Sequence, residues 1–368
     1  PPQVVNLSFD TFHINYDICI ENENLLLNVH AAKKSVQMTA AGVESPFTFL
    51  DSGSDLFLWN IQRTGSKNYP YVFKTGDLIL FLSNRSPGST IPNMALRIGS
   101  ISCNNDLLGL LDQLKRWLKK IGIRILSESV SRCDICADFK QDIRKGRISK
   151  ITQYITRARD TQLFYSHRNF TGIQWGRGDI VGRIYDKQLE MKQKGNETKQ
   201  LVFNQIWGTT PDEPITRVEF QLRREAIKQF YPGQTTVKLI MKKSPQLWKY
   251  LTSDWLRHCS TFVDRDNKNQ QRSEDSFFWS LVKQAWACVK SPLQRIRKLR
   301  HVNVTNLRKQ AIGILTTISA AMGIVSYNPH EVVTFVTDLV ALDSLEVVSQ
   351  KGFQDKYLQK MTSCRVSF

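Results

Sequence analysis

The stretch SRCDICADF, residues 131–139, decides how the rest of the chain is read. Arg132, Asp134, Cys136 and Asp138 alternate in it with Cys133, Ile135, Ala137 and Phe139. Successive side chains on a strand point to opposite faces, so this spelling predicts a strand with an apolar face and a second face that carries two carboxylates. Cys133 and Cys136 form a CxxC pair, yet on a strand they face opposite ways and no second pair stands near them. Cys133 therefore reads as a buried core thiol in preference to a zinc ligand.

Downstream, DTQLFYSHR (160–168), TGIQWGR (171–177) and IVGRIYDK (180–187) read as strands. The last presents Arg183, Tyr185 and Lys187 on one face and runs into a helix through Glu190 and Lys194. TRVEFQLR (216–223) places Arg217, Glu219, Gln221 and Arg223 opposite Val218, Phe220 and Leu222. Upstream, residues 4–20 and 55–100 read as short strands, with one amphipathic helix over NENLLLNVHAAKKSV (22–36). Leu107, Leu110, Leu111, Leu114, Trp117, Leu118 and Ile121 fall at helical spacing, with Asn104 or Asn105 as cap and Gly122 as stop. The opposite side of that helix carries Lys115, Arg116, Lys119 and Lys120, either a solvated face or a phosphate-contacting one.

Strands interleaved with helices predict an α+β, antiparallel-rich sheet with helices on its apolar face. Beyond residue 265, a polar linker gives way to helical spacing in residues 277–290, 306–324 and 330–348, which predicts a C-terminal helical bundle. Between the first two of these helices lies a basic, acid-free run with Arg295, Arg297, Lys298, Arg300, Arg308 and Lys309, a candidate DNA-facing edge. Three regions are expected: a mostly stranded 1–122 with its basic helix, a 123–264 whose strands carry the charged faces, and a helical, basic 265–368.

Composition narrows the function. Across 368 residues, 51 Lys and Arg against 33 Asp and Glu give a formal charge of +18, while 41% of residues are hydrophobic. A folded chain with that excess favours a polyanionic partner, because each phosphate neutralised by Lys or Arg releases condensed counterions. The seven cysteines are odd in number and scattered, as in a reduced cytoplasmic protein. No secretion signal is expected from the first residues, and residues 311–325, interrupted by Thr316, Thr317 and Ser319, are too short for a bilayer span. No membrane role is expected.

The six histidines stand far apart, and no Gly-rich phosphate loop ends in Lys-Ser or Lys-Thr. Carboxylates, a tyrosine and cations on strand faces remain. Asp134, Asp138 and Glu219 are oxygen donors of the kind a hard divalent ion takes together with substrate phosphate. Tyr185, between Arg183 and Lys187, is expected among charges that favour its ionised form. The competing account is structural: Arg132, Asp134, Arg217 and Glu219 pair across strands on a solvated face.

Three segments, SRCDICADF, TGIQWGRGDIVGRIYDKQLEMKQKG (171–195) and TRVEFQLRREAI (216–227), in this order and at these separations, resemble the Rep_trans replication initiation factors. These are rolling-circle initiators of plasmids and some filamentous phages, with related relaxases of integrative conjugative elements. The resemblance spans roughly residues 131–264. It implies a palm-like nickase core related to the His-hydrophobic-His endonucleases but without the His pair. It further implies a site-specific nickase and strand transferase that cuts one strand at an origin, stays joined to the 5′ phosphate through tyrosine, and leaves a 3′ hydroxyl for a polymerase.

Carried over by motif, Tyr185 is the nucleophile, with Arg183 and Lys187 beside it. Asp134, Asp138 and Glu219 would hold Mg²⁺ or Mn²⁺. Arg217 and Arg223 would contact the scissile phosphate or brace the acids, and Arg177 joins the DNA-binding set. Glu190 matches a signature position and is equally accounted for as a helix-surface partner of Lys194. Tyr165 is a second candidate nucleophile, and Trp175 and Trp207 are candidates either for stacking on unpaired bases or for the core. Expected partners are origin DNA, single-stranded or locally melted, a host helicase and polymerase, and a second copy of the chain. The rival readings are a conjugative relaxase with the same chemistry and a non-catalytic origin-binding protein.

Overall fold

The chain is described by a computed structural model over residues 2–39, 45–49, 57–145, 147–233, 235–263, 270–286, 300–323, 330–331, 334–335, 337–338 and 364–367. It divides into two units, Pro1–Ile296 and Arg297–Phe368. In the first, β1 (Gln3–Ile20) leads into α1 (Glu23–Met38), then β2 (Pro46–Phe47), β3 (Trp59–Ile61), β4 (Tyr71–Thr75), β5 (Leu78–Leu82) and β6 (Met94–Ile98). Helices α2 (Ser100–Asn104) and α3 (Leu107–Lys120) precede β7 (Ile123–Lys140). After it come β8 (Tyr154–Thr156), β9 (Thr161–Ser166), β10 (Asn169–Trp175), β11 (Ile180–Asp186), α4 (Lys187–Gln193), α5 (Glu197–Trp207) and β12 (Ile215–Arg223). The unit ends through α6 (Arg224–Phe230), α7 (Val237–Lys242), α8 (Ser244–Tyr250), β13 (Leu256–His258) and α9 (Phe277–Gln284).

Eleven strands form one antiparallel sheet in the order β2-β3-β4-β5-β6-β1-β7-β12-β11-β10-β9, so the fold is mixed, a large antiparallel sheet with several helices. The boundary expected at residue 122 falls inside this sheet. β1 and β7 are eighteen residues each and pair from Gln3↔Lys140 to Ile20↔Ile123, which welds the N-terminal strands to those of residues 123–264.

The α3 spacing read from sequence holds, with Leu107, Leu111, Leu114, Trp117 and Leu118 buried. Its cap is Asp106, whose side chain accepts from the Gly109 N–H, one residue beyond the expected asparagines. Each buried Leu contributes about 1.5–3 kcal/mol, against a few tenths for a surface i,i+4 pair, so the apolar face sets how the helix lies. The stranded stretch expected to reach residue 100 ends at β6, and Ser100 opens α2: the Asp77 side chain accepts from the Ser102 N–H and hydroxyl and anchors that turn.

The boundary expected at residue 265 is also displaced. Phe278, Trp279 and Val282 of α9 join the core of the sheet unit. Trp248 Nε1 donates to the Val282 carbonyl over 2.7 Å, and Trp279 Nε1 to the Thr252 carbonyl over 2.8 Å, so α9 is locked to α8 and the turn after it. The second unit contains α10 (Val304–Ala321) and a parallel pair, β14 (Arg300–Asn303) with β15 (Cys364–Ser367), which the sequence reading did not anticipate. Among the described residues no helix is long and apolar enough to cross a membrane.

Candidate functional site

The three segments quoted above become neighbouring strands. β7, β12, β11, β10 and β9 stand side by side. Residues 133–139 of β7 and 215–222 of β12 are buried throughout, the mark of central strands covered on both faces. Their apolar face holds Ile135, Ala137, Phe139, Val218, Phe220 and Leu222 in the main core. The opposite face is polar, and at one end α4 and α5 cover it with a small cluster of Met191, Phe203, Trp207 and Ile215.

On that polar face one register row runs across six strands: Asn6 of β1 opposes Asp138, Asp138 opposes Arg217, Arg217 opposes Tyr185, Tyr185 opposes Gly172, and Gly172 opposes Phe164. The adjacent row on β12, β11, β10 and β9 holds Glu219, Arg183, Gln174 and Gln162. Gly172 is required where it stands, since a Cβ there would lie 2.9 Å from Tyr185 Cβ and 3.1 Å from the Ile184 carbonyl oxygen.

The Tyr185 hydroxyl donates to Glu219 Oε2 over 2.8 Å. Arg183 Nη1 holds the other oxygen of Glu219 at 2.9 Å, and its Nε and Nη2 reach Gln174 and Gln221. Lys187 Nζ stands 3.4 Å from the Tyr185 hydroxyl, 3.0 Å from Glu190 Oε2 and 3.6 Å from Asp10 Oδ1. These groups line an open pocket of about 360 Å³ together with Arg132, Asp134, Phe164, Lys194 and Lys199.

Asp10 was missed in the sequence. It sits where the β1–β7 register slips, between Phe9↔Ile135 and Thr11↔Asp134, so the bulge leaves it unopposed in register on the polar face. A signal was present: Phe9, Phe12, Ile14, Tyr16 and Ile18 are all buried, and the one step of three among steps of two marks an extra residue. Burial alone would raise the Asp10 pKa, but Lys187, Arg217 and Lys199 outweigh it and hold the carboxyl well below the usual range. Lys199 was likewise unassigned, and Lys194 was expected only as a partner of Glu190; both belong to the pocket wall.

Several expectations change. Of the two roles expected for Arg217, phosphate contact or bracing of the acids, the geometry is that of a brace: it is fully buried, gives Nε to Asp138 Oδ1 at 2.5 Å and Nη2 to Oδ2 at 2.8 Å, and its Nη1 reaches Asp10. Asp138 is filled by that guanidinium, by Trp207 Nε1 at 2.8 Å and by Asn6 Nδ2 at 3.1 Å. Trp207 and Trp175 are thus core residues, the latter packed on Tyr154 at 4.5 Å between ring centroids. The Tyr185 hydroxyl is not biased toward ionisation. Burial, followed by the Glu219 charge, pushes its pKa well up despite Arg217. Tyr165 lies on the other face of β9 from the site and packs edge-on against Phe170.

The expected ligands Asp134, Asp138 and Glu219 do not converge, and among the described residues no group of three His, Cys, Asp or Glu is placed to hold a metal. Asp134 and Glu219 alone share the open pocket wall, as diagonal neighbours on β7 and β12. Burial raises the Asp134 pKa to about 7, with Glu219 and Asp10 adding to the rise and the Arg132 guanidinium, bidentate on its two oxygens, opposing it. Arg132 occupies both Asp134 oxygens as Arg217 occupies those of Asp138, so Asp134 and Glu219 could take a divalent cation shared with phosphate oxygens only by displacing the side chains now bonded to them.

Arg177 and Arg223 are exposed, at the β10–β11 turn and the end of β12. Arg295, Arg297 and Lys298 lie outside the described residues, and Arg300 opens β14. Glu190 pairs with both Lys194 and Lys187.

No protein-family model matches the chain, and no curated protein matches it. Among solved structures the chain is similar to the rolling circle replication initiator protein from Geobacillus stearothermophilus, at 12% identity and a TM-score of 0.45, over 80% of this chain and 99% of that one.

Proposed function

We propose that the chain is a rolling-circle replication initiator that nicks one DNA strand with Tyr185. The observation that carries this reading is the Tyr185 hydroxyl bonded at 2.8 Å to Glu219, with Lys187 at 3.4 Å, in an open pocket whose wall also carries Arg132, Arg183, Lys194 and Lys199. A structural salt-bridge face has no need of a tyrosine hydroxyl aimed into such a pocket.

With its pKa raised by burial, Tyr185 has to lose its proton as it attacks. Glu219 Oε2 already accepts that hydrogen bond and takes the proton. The phenolic oxygen bonds to phosphorus, the bond to the 3′ oxygen breaks, and the 3′ oxygen leaves with a proton from solvent. The 5′-phosphotyrosine ester conserves the bond for later strand closure, and the 3′ hydroxyl primes a polymerase. Arg183 and Lys187 meet the charge that gathers on the non-bridging oxygens, and Arg183 also fixes the orientation of Glu219. Mg²⁺ or Mn²⁺ held by Asp134 and Glu219 with phosphate oxygens would add charge neutralisation at the same place.

The test is cleavage of a supercoiled plasmid carrying the chain's own origin. The wild type is expected to convert it to open circles, and Tyr185→Phe to bind it without cutting. Tight binding with no cut by the wild type, with either divalent ion, would overturn the reading in favour of an origin-binding protein.

A further inference from the structure

The register row that ends Tyr185, Gly172, Phe164 leaves a gap in the side-chain layer. Tyr185 and Phe164 stand on one face of strands two apart, and the residue between them has no side chain. Both rings line the same open pocket, with no side chain between them in that row.

Phe164 is 46% exposed, a large apolar side chain on an otherwise polar face, and it packs on no other aromatic ring among the described residues. It is held in place from both sides. Gln162 on the same face of β9 meets Gln174 at 3.5 Å, and Ser166 meets Gln193 of α4 at 3.4 Å. Arg183, Lys187, Lys194 and Lys199 line the same pocket, and Arg168 stands exposed in the β9–β10 turn. An exposed ring beside a row of cations complements a single strand, which offers one phosphate and one unpaired base per step. A duplex keeps its base faces stacked and offers none to this ring.

We propose that Phe164 is a positioning residue: an unpaired nucleobase next to the scissile phosphate stacks on its ring over Gly172, which seats the phosphate in front of Tyr185. This rests on the nicking reading and adds to it the side chain that seats an unpaired base beside the scissile phosphate. Stacking is tolerant of sequence, so the preference is for unpaired over paired DNA.

The experiment uses the full chain carrying Tyr185→Phe, so that binding is read without cleavage. A mixed-sequence single-stranded oligonucleotide of about 16 nucleotides, with 2-aminopurine placed at successive positions, is titrated beside the same sequence as a duplex. The added Phe164→Ala change is expected to weaken single-strand binding about 5- to 100-fold, to abolish fluorescence quenching at one position, and to leave duplex binding within a factor of two of its starting value. Phe164→Tyr is expected to restore both. Equal loss on single strand and duplex, or no loss on either, would overturn the stacking role while the nicking reading stands. An altered oligomeric state with unchanged single-strand binding would also overturn it and assign the β9 edge to pairing with a second copy. Absence of any DNA binding by the parent chain would sink both readings together.

Discussion

Arg217 and Asp138 oppose one another across β12 and β7, both wholly buried, and close a two-point pair at 2.5 and 2.8 Å. The pair stands beneath the cluster of α4 and α5, where the cation also lies over the Phe203 ring at 5.3 Å. It fixes the site from below and takes no part in it. Asp138 and Asp134 come from the same strand face, yet one is a strut and the other a pocket wall.

Breaking that strut leaves a buried charge without its partner. Asp138→Asn and Arg217→Leu are each expected to lower unfolding free energy by about 3–5 kcal/mol, measured by urea denaturation. Glu219→Gln keeps neutral acceptors for Tyr185 and Arg183 and is expected to cost less than the strut, about 1–3 kcal/mol. Equal losses at all three would mean that the pocket acids serve the fold.

Asp10 answers two buried cations, Lys187 and Arg217. Its depressed pKa means that its ionised form stabilises the fold above the usual carboxylate range, and that this contribution fades as pH falls through it. Asp10→Asn is therefore expected to lower the melting temperature at pH 7 and to lose its effect toward pH 2. A pH-independent difference would mean that packing at the bulge, not charge, is what the residue supplies.

His258 is buried against Tyr154, bonded at 2.7 Å to the Ser276 hydroxyl, and burial drops its pKa to about 4 although Asp275 opposes the drop. The native state then binds fewer protons than the unfolded state between about pH 6.5 and 4, so stability drops as pH is lowered through that window, by about 3 kcal/mol from this group. His258→Gln is expected to flatten that part of the melting curve. His13, whose pKa burial lowers to about 3 with Arg97 and Arg132 adding, keeps a residual slope in the variant.

Glu219→Gln keeps an acceptor for the Tyr185 hydroxyl but cannot take its proton. The expected result is a 10²- to 10⁴-fold fall in cleavage rate, on the order of general-base catalysis, with DNA affinity within a few-fold of wild type. A rate unchanged at neutral pH would assign the base elsewhere.

Much of this was legible because the strands alternate cleanly. The polar faces of β7, β11 and β12 could be read residue by residue, and the register then placed Tyr185 beside Glu219. Burial depth was not legible. Arg217 and Arg183 have the same spelling on strands, and only the packing of α5 over one end of the face separates a sealed guanidinium from an open one. The partners of Asp138 come from β1, α5 and β12, so no local pattern could show that its oxygens were occupied. Asp10 required noticing a bulge, and Phe164 required knowing that Gly172 stands between it and Tyr185. The sheet unit runs across both expected divisions for a related reason: the β1–β7 pairing joins segments more than a hundred residues apart, and α9 packs into the same core.

The most direct measurement is incubation of the chain with labelled DNA of its own origin and a divalent ion, followed by denaturing electrophoresis and peptide mass mapping of the protein–DNA adduct. The expected result is a 5′-phosphate ester on Tyr185, absent in Tyr185→Phe. An adduct on Tyr165 or any other residue, or cleavage that leaves no covalent protein, would contradict the account.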